Sequence, residues 1–443
     1  MINMKLDELK AILRECGVVG AGGAGFPSYA KLDARADTVI LNCAECEPLL
    51  RLHRQLLEHH AREIMTALKT VAETVGAQQA ILAIKSSYKK TISAVKAELP
   101  DFENMSIGLL PEVYPAGDEV VAVYEMTGRV VPAGKLPIDV GVTVLNVETM
   151  FNTFFALQGK PVVDKYITVT GAVRNPVTLK APLGISALRL VNLAGGTTVE
   201  DYVLFRGGPM TGTIISPSDA VTKTTNAILV LPQDHPVVKK HECNPAIEMK
   251  RAMAACCQCR MCTDLCPRFL LGHPIEPHIF MRSASSGVTN DVVPYLDTYF
   301  CSSCGLCEMY SCFQGLSPRQ LIDKCKSELN KNGVPVPNAE EKPVSEQRSG
   351  RYVPMSRLIA RLNLTRYENP APLIDEDVTA NRVKLMLSQH AGAPAVPVVK
   401  VGDNVIKGQV VAACEPSKLG TNIHASISGR VLGITDRYIL IGE

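Results

Sequence analysis

Residues 256–267 read CCQCRMCTDLCP, and four of these cysteines follow the spacing C-x2-C-x2-C-x3-C with a proline directly after them. A second run, CSSCGLCEMYSC at residues 301–312, has the same first two gaps. Its last gap is four residues long, and Phe313 stands in the place of the proline. Three cysteines in such close succession can hold three corners of an iron–sulfur cubane, while the fourth reaches a second one. The two runs therefore predict two [4Fe–4S] clusters, which are electron carriers.

The first run is the bacterial ferredoxin run, and its two-cluster arrangement sorts the eight cysteines into two sets. The first cysteine set is Cys256, Cys259, Cys262 and Cys312. The second cysteine set is Cys301, Cys304, Cys307 and Cys266. Cys257 falls between ligands and is not expected to be one. Zinc is the alternative, because C-x2-C pairs also bind zinc, but structural zinc sites usually join such pairs across a longer loop. The spacing therefore favours clusters.

The composition argues against several other kinds of protein. The chain has 443 residues, nearly half of them apolar, which is enough for about three or four domains. A net charge of +2 without a basic patch argues against nucleic acid as a partner. No stretch approaches the roughly 20 apolar residues that span a bilayer, so no transmembrane segment is predicted. The N-terminus has no signal-peptide core, so we expect a cytoplasmic protein whose fifteen cysteines are reduced.

The first part of the chain, residues 1–163, alternates apolar runs with helical patterns. TVILN (38–42), QAILAI (79–84) and VTVLNV (142–147) are typical of buried strands. Helices are predicted over residues 49–75 and 87–98 and from about residue 149. Strands that alternate with helices indicate a parallel, Rossmann-like α/β sheet.

The rest of the chain divides by composition, and the sequence as a whole predicts a multidomain α/β protein. A small α+β module is expected at residues 164–240 and a cysteine-rich helical domain at 241–335. Residues 336–372 are polar at first and are expected to be a linker followed by a helix. Short strands with Gly-Asp and Lys-Gly turns predict an all-β domain at residues 373–443.

A glycine-rich segment, GVVGAGGAGFP at residues 17–27, follows the first predicted helix. We call it the glycine loop. Glycines let backbone N–H groups approach a phosphate, although they also simply make turns. Cys43 and Cys46 form a C-x-x-C at the end of the first predicted strand, which is also the pattern of a redox dithiol.

Three further segments support the phosphate interpretation of the glycine loop: NCAECEP (42–48), YPAGDEVVAVYEMTGRVVP (114–132) and LNVET (145–149). With the loop, they resemble the flavin-bearing NADH dehydrogenase subunit of complex I and, more closely, the C subunit of the Rnf electron-transport complex. Residues 164–240 resemble a soluble-ligand-binding β-grasp (SLBB) module, and 241–335 a two-cluster ferredoxin-like domain.

The C-terminal segment SQHAGAPAVPVVKVGDNVIKGQ (388–409) resembles the barrel-sandwich hybrid domain of the Rnf subunit. In that subunit the domain is N-terminal, whereas here it is C-terminal. This domain order is similar to that of the cobalamin reductases of propanediol-utilisation microcompartments.

The resemblance implies a flavin site in the first domain. The residues expected around FMN are Gly20, Gly22, Gly23, Lys31, Asn42, Glu45, Tyr114, Gly117, Asp118, Glu119, Asn146 and Thr149. Phe26 is expected to stack on the NADH adenine and Glu47 to face its ribose. The complex I pattern has Asp in the place of Ala44 and Arg in the place of Ala21, so more matching residues support the flavin contacts than the NADH contacts.

The implied function is an NADH-dependent oxidoreductase in which FMN accepts a hydride and two [4Fe–4S] clusters carry single electrons onward. The expected acceptor is cobalamin, reduced from cob(III)alamin to cob(II)- and cob(I)alamin for coenzyme B12 recycling. Inside a bacterial microcompartment, a shell protein or an adenosyltransferase would be a partner, and the oligomeric state is left open. The alternatives are an Rnf-like subunit that donates to a partner protein and a non-catalytic microcompartment scaffold.

Overall fold

The three apolar runs of the N-terminal part lie side by side in one sheet of a computed structural model that describes residues 4–287, 290–340 and 342–442. Its strand order is β3-β2-β1-β5, and every pairing is parallel. Helices cover both faces, which explains the continuous apolar runs within β1, β2 and β5. The elements are α1 Leu6–Glu15, α2 Ser28–Lys31, β1 Thr38–Cys43, α3 Leu52–His59, α4 Ala61–Val75, β2 Gln79–Lys85, α5 Lys89–Glu98, β3 Met105–Leu110, β4 Val113–Tyr114, α6 Glu119–Thr127, β5 Val142–Asn146 and α7 Val147–Ala156.

Two details of this domain differ from the prediction. The sequence did not predict β3, which is an edge strand whose side chains are mostly half-exposed and therefore form no clear apolar run. The single helix expected over residues 49–75 is two helices, because the backbone leaves the helical conformation at His60. The break turns α4 so that its apolar side covers the sheet.

A six-stranded sheet in the order β12-β7-β6-β10-β8-β9 forms the second domain. The edge strand β12 comes from the segment that the sequence assigned to the C-terminal domain, and it pairs with β7 in parallel. The elements are β6 Asp164–Gly171, β7 Val177–Pro182, α8 Ala187–Leu193, β8 Tyr202–Arg206, β9 Thr213–Ile215, β10 Ala227–Pro232 and β12 Leu373–Asp377.

The cysteine-rich region is helical, as its sequence predicts. A small core of its own joins its three longest helices, with Phe280, Met281 and Ile322 at the centre. The helices are α9 Pro236–His241, α10 Pro245–Ala255, α11 Met261–Asp264, α12 Pro267–Leu270, α13 Pro277–Ser286, α14 Val293–Leu296 and α15 Pro318–Lys331.

The polar segment expected to be a linker is attached to the first domain. Arg348 is buried and its guanidinium lies 2.6 Å from the carboxylate of Glu125. Strand β11 (Val353–Pro354) pairs with β4, and helix α16 (Met355–Arg361) buries Leu358 and Ile359 in the core of the first domain. The few apolar side chains of this segment therefore decide its position, although polar residues dominate its composition.

Two small antiparallel sheets, in the orders β13-β19-β18-β15 and β14-β16-β17, form the C-terminal β domain. Its strands are β13 Arg382–Met386, β14 Val396–Pro397, β15 Asn404–Val405, β16 Val410–Ala413, β17 Ile423–His424, β18 Gly429–Ile434 and β19 Tyr438–Gly442. Over the described residues, no helix combines the length and the apolar character needed to cross a bilayer.

Candidate redox sites

The glycine loop lies over the N-terminal end of α7, at the carboxyl edge of the parallel sheet. The Gly20 N–H donates to the Phe26 carbonyl at 2.9 Å, which closes the loop. The Ala21 N–H donates to the Thr149 hydroxyl at 3.0 Å, which fixes the loop on the helix. A Cβ atom added at Gly22 would lie 2.4 Å from the Asn146 amide nitrogen. A side chain at position 22 would therefore displace the Asn146 side chain, which caps α7.

The same edge of the sheet presents donors and a cation. The Asn146 side chain caps α7 by accepting from the Glu148 N–H at 2.9 Å. The Lys31 ammonium group pairs with the Glu119 carboxylate, and both side chains are partly exposed. No heavy atom lies within 4 Å of a Cβ built on Gly23, so the tip of the loop is open. A helix N-terminus, a lysine and an open glycine loop are together suited to a phosphate.

The ends of β1 and the start of α6 form the neighbouring wall. The Asn42 amide donates to the Gly117 carbonyl at 2.9 Å and its oxygen accepts from the Ala44 N–H at 3.0 Å. The Gly117 N–H donates to the Cys46 sulfur at 2.7 Å. A Cβ on Gly117 would lie 2.3 Å from the Ala44 carbonyl oxygen. Backbone packing therefore requires glycine here, at the turn that leads into α6.

Several residues expected at the flavin or NADH bind groups of the protein itself. The Tyr114 hydroxyl donates to the Cys304 carbonyl, and the Asp118 carboxylate lies 2.9 Å from the Arg268 guanidinium. Each of these contacts joins the first domain to the cysteine-rich region. Their expected roles at the flavin stay predictions.

The two glutamates of the NCAECEP segment are likewise occupied. The Glu47 carboxylate accepts from the Met210 and Thr211 N–H groups, each at 2.8 Å, and its burial raises its pKa. The Glu45 carboxylate is buried and accepts from the His53 N–H at 3.0 Å. Phe26 is half-buried beside the loop. Either carboxylate could contact a nucleotide only if it also kept, or gave up, its hydrogen bonds to these backbone N–H groups.

Sequence reasoning missed two residues of this region. The charged neighbours Arg54 and Glu58 indicate a solvated helix face around His53, but His53 is buried and its ring lies 3.3 Å from the Asn146 amide nitrogen. Its position four residues before the buried Leu57 places both on one helix face, which is a signal of burial. Arg268 follows the Cys266-Pro267 pair and is the partner of Asp118. Nothing in the local sequence indicates that distant partner.

The first cysteine set lies around one cavity, which Cys256, Cys259, Cys262 and Cys312 all line. Burial, with a smaller contribution from the nearby Cys259 and Cys312, raises the pKa of the Cys262 thiol to about 12. The segment from Cys307 to Ser311 forms a π-helical turn, and the Cys312 N–H donates to the Cys307 carbonyl at 3.1 Å. This wide turn accommodates the extra residue in the last gap of the second run.

The second cysteine set is more deeply buried. Cys266 belongs to the first run in sequence. It nevertheless lies near Cys301 and Cys304 and raises the pKa of both thiols. Burial raises the pKa of the Cys301 thiol to about 12 and that of Cys304 still further. The chain thus brings together the members of both sets that the two-cluster pattern predicts. Their assignment as ligands stays a prediction.

Zinc fits these sulfurs less well than a cluster does. Four thiolates bound to one Zn²⁺ would lie about 3.8 Å apart, since each Zn–S bond is about 2.3 Å. Within residues 4–287, 290–340 and 342–442, no three His, Cys, Asp or Glu side chains are close enough to hold a single ion. A cubane spreads its ligands more widely, so this cavity, which Cys257 lines together with the four cysteines of the first set, suits it better.

Four family models match consecutive parts of the chain. They are the Nuo51 FMN-binding domain (residues 13–154), the SLBB domain (166–214), the 4Fe-4S dicluster domain (255–317) and the RnfC barrel sandwich hybrid domain (368–443). The chain thus carries the four kinds of domain that its sequence predicts.

Curated relatives match the whole chain. Cobalamin reductase PduS of Salmonella typhimurium strain LT2 is 39% identical over 442 residues, which cover 99% of this chain and 97% of that protein. The chain belongs to the cobalamin reductase PduS family. The PduS protein of Citrobacter freundii is also 39% identical, over 97% of this chain and 95% of that protein.

Two more distant proteins share parts of the architecture of this PduS-family chain. The C subunit of the Na(+)-translocating ferredoxin:NAD(+) oxidoreductase complex of Acetobacterium woodii is 30% identical over 272 residues, or 60% of this chain and 59% of that protein. An NAD+-reducing [NiFe]-hydrogenase in the H2-reduced state superposes with a TM-score of 0.50 at 18% identity, and the match covers 77% of this chain and 69% of the hydrogenase chain. The hydrogenase comparison concerns the fold alone.

The Cys43–Cys46 pair of this PduS-family chain is poorly suited to dithiol chemistry. Burial raises the pKa of Cys46 to about 11 and that of Cys43 further above its usual range. The reactive species of a redox dithiol is the thiolate, which these surroundings disfavour. The Cys46 sulfur instead accepts the Gly117 N–H and thereby shapes the turn into α6.

Proposed function

We propose that this protein is an NADH-dependent cobalamin reductase that holds FMN in its first domain and two [4Fe–4S] clusters in its cysteine-rich domain. The observation that carries the proposal is the match to cobalamin reductase PduS over 99% of the chain, which includes every domain. When bound, FMN would convert a two-electron hydride into single electrons, and the clusters would conduct those electrons.

Residues described above would hold FMN and the two clusters. The glycine loop, the N-terminus of α7 and Lys31 suit the FMN phosphate end, because they present N–H groups and a cation at one edge of the sheet. Asn42 and Gly117 form the adjacent wall. The two cysteine sets would hold the clusters, and the burial of the second set would keep water away from it. Hydride transfer needs no proton donor, so no catalytic acid or base is assigned.

The reaction balances with cobalamin as a one-electron acceptor. One NADH and two cob(II)alamin give NAD+, one proton and two cob(I)alamin, and cob(III)alamin would be reduced to cob(II)alamin in the same way. The direct test is anaerobic. Purified protein is mixed with NADH, and flavin bleaching and cluster reduction are followed optically. Cob(II)alamin is then added, and the appearance of cob(I)alamin absorption is measured.

A second candidate function is electron donation to a partner protein. The specific observation in its favour is the 30% identity to the Acetobacterium woodii protein over 60% of the chain. Cluster reduction by NADH without any reduction of cobalamin would favour this candidate. A flavin that NADH does not bleach would contradict both candidates and favour the non-catalytic scaffold.

Partners and location also belong to the proposal. We place the protein inside a bacterial microcompartment of propanediol utilisation, where an adenosyltransferase would consume cob(I)alamin and a shell protein would retain the enzyme. Family membership supports this placement. Co-purification of the tagged protein with isolated microcompartments tests it, and recovery only in the unenclosed cytosol would contradict it.

A further inference from the structure

Lys223 lies between β9 and β10 and is only 2% exposed. Its ammonium group donates to two backbone carbonyls, that of Gly17 at 2.7 Å and that of Asn422 at 3.0 Å. Among the described residues, no carboxylate forms an ion pair with it. Burial of a cation without an anionic partner is costly. An apolar residue could fill the same space without that cost, so a lysine at this position is unusual. Its hydrogen bonds therefore need an explanation.

The two carbonyls belong to different domains. Gly17 begins the glycine loop, and a side chain there would lie 2.5 Å from the Lys223 nitrogen. Asn422 belongs to the C-terminal β domain, next to β17. The Lys223 backbone makes a further contact with that domain, because its N–H donates to the Gln389 side-chain oxygen at 3.1 Å. One residue of the second domain thus joins the first domain to the last.

The other end of the glycine loop is held by the same two domains. The Ala391 N–H donates to the Gly25 carbonyl at 3.1 Å, and a Cβ on Gly25 would lie 2.7 Å from the Thr224 methyl carbon. Between these ends, nothing contacts a Cβ built on Gly23. The loop therefore has a free tip, and residues from outside the first domain fix both of its ends.

We propose that Lys223 is a positioning residue for the flavin site, which holds the glycine loop in its phosphate-binding shape by fixing the Gly17 carbonyl against the C-terminal β domain. This inference rests on the proposed function, because it takes the loop to bind FMN. Lys223 does not itself reach the open tip of the loop. It acts by removing the freedom of the loop's first residue, so that the N–H groups of the tip are oriented before the ligand arrives.

The test is the affinity of full-length, cluster-containing protein for FMN. The flavin is removed, FMN is added back, and the quenching of its fluorescence gives the Kd. Lys223→Met leaves an unbranched side chain only one atom shorter and removes both hydrogen bonds. We expect its Kd for FMN to rise on the order of tenfold, as loss of one hydrogen bond that orients the loop would predict. We also expect its iron content to stay at the wild-type level.

Lys239→Met is the matched control, because Lys239 is an exposed lysine in α9; its Kd for FMN should equal that of the wild type. A Lys223→Met protein with wild-type FMN affinity overturns the inference alone, whereas wild-type protein that binds no FMN overturns the proposed function as well. Equal loss of iron and flavin would mean that Lys223→Met does not fold. If Lys223→Met does not fold, Gln389→Ala decides: unchanged FMN affinity contradicts the positioning role, and weaker affinity with full iron content supports it.

Discussion

At the scale of single residues, Cys312 is the most informative ligand candidate. It follows a gap that departs from the ferredoxin spacing, yet it lines the same cavity as Cys256 and Cys259. Replacement of Cys312 by Ser should lose or convert one cluster, so that iron falls from about eight to about four atoms per chain. Iron analysis and electron paramagnetic resonance after dithionite reduction measure this. Cys257→Ser is the control, and an unchanged iron content in Cys312→Ser would show that the assignment is wrong.

Lys223 also gives a prediction about pH. Burial lowers its pKa to about 7, whereas the unfolded chain has an ordinary lysine. Between about pH 7 and 10 the unfolded state therefore binds more protons, and the free energy of unfolding should rise with pH by at most about 1.4 kcal/mol per unit. His424 and Cys16 face Lys223; in the folded protein the His424 pKa is lowered to about 3 and the Cys16 pKa is raised. In the unfolded chain both have ordinary pKa values of about 6.5 and about 8.5, so the wild type is compared with a variant that keeps both residues.

The measurement compares urea unfolding of the wild type and Lys223→Met at pH 7 and pH 8.5. The stability of the wild type relative to the variant should increase at the higher pH. A difference that is constant or that shrinks would mean that Lys223 keeps an ordinary pKa in the folded protein.

The candidate site could be predicted only in part at this scale. Local spacing groups the cysteines of each run. The two-cluster pattern further predicts that Cys266 joins the set of the second run and Cys312 that of the first. The partners of Tyr114, Glu47 and Asp118 come from other domains. Such contacts depend on how domains pack together, which no local pattern of a single sequence contains.

At the scale of elements, strands buried on both faces were the easiest to predict. The apolar runs at 38–42, 79–84 and 142–147 became β1, β2 and β5 because the interior of a parallel sheet needs no polar alternation. Composition was a poor guide for residues 336–372, where a few apolar side chains decide how the segment packs. The segment before α16 is polar, but Leu358 and Ile359 of that helix enter the core of the first domain.

Helix α16 supplies a prediction that separates a packed element from a linker. Leu358→Ala should destabilise the protein by about 2–5 kcal/mol, because it leaves a cavity in the core of the first domain. Thermal unfolding followed by circular dichroism measures the loss. Arg357→Ala on the exposed side of the same helix should change stability little. If the two variants have the same melting temperature, α16 does not contribute to the core.

At the scale of the whole molecule, buried polar contacts join the domains. The Lys165 ammonium group and the Glu148 carboxylate form an ion pair in which both side chains are 1% exposed. Lys165 begins the second domain in β6, and Glu148 belongs to α7 of the first. Desolvation lowers the pKa of Lys165, while the carboxylate opposes that effect. The pair is therefore sensitive to the loss of either member.

Lys165→Met should destabilise the protein by about 3–5 kcal/mol, because Glu148 would be left as a buried charge without its partner. Addition of Glu148→Gln should recover part of this loss, since the amide oxygen can still accept the Tyr166 N–H. A double-mutant cycle in urea measures the coupling. Strictly additive losses would show that the two side chains do not act as a pair.

The contacts of the glycine loop also set an order of events during synthesis. A ribosome makes residues 17–27 early, but Lys223 and Ala391, which bond to the two ends of the loop, emerge far later. The strands of the first sheet all lie within residues 38–146, whereas the contacts at both ends of the loop form only after the last domain has been made. Flavin is thus expected to bind after translation has ended, to a chain whose last domain already packs against the first.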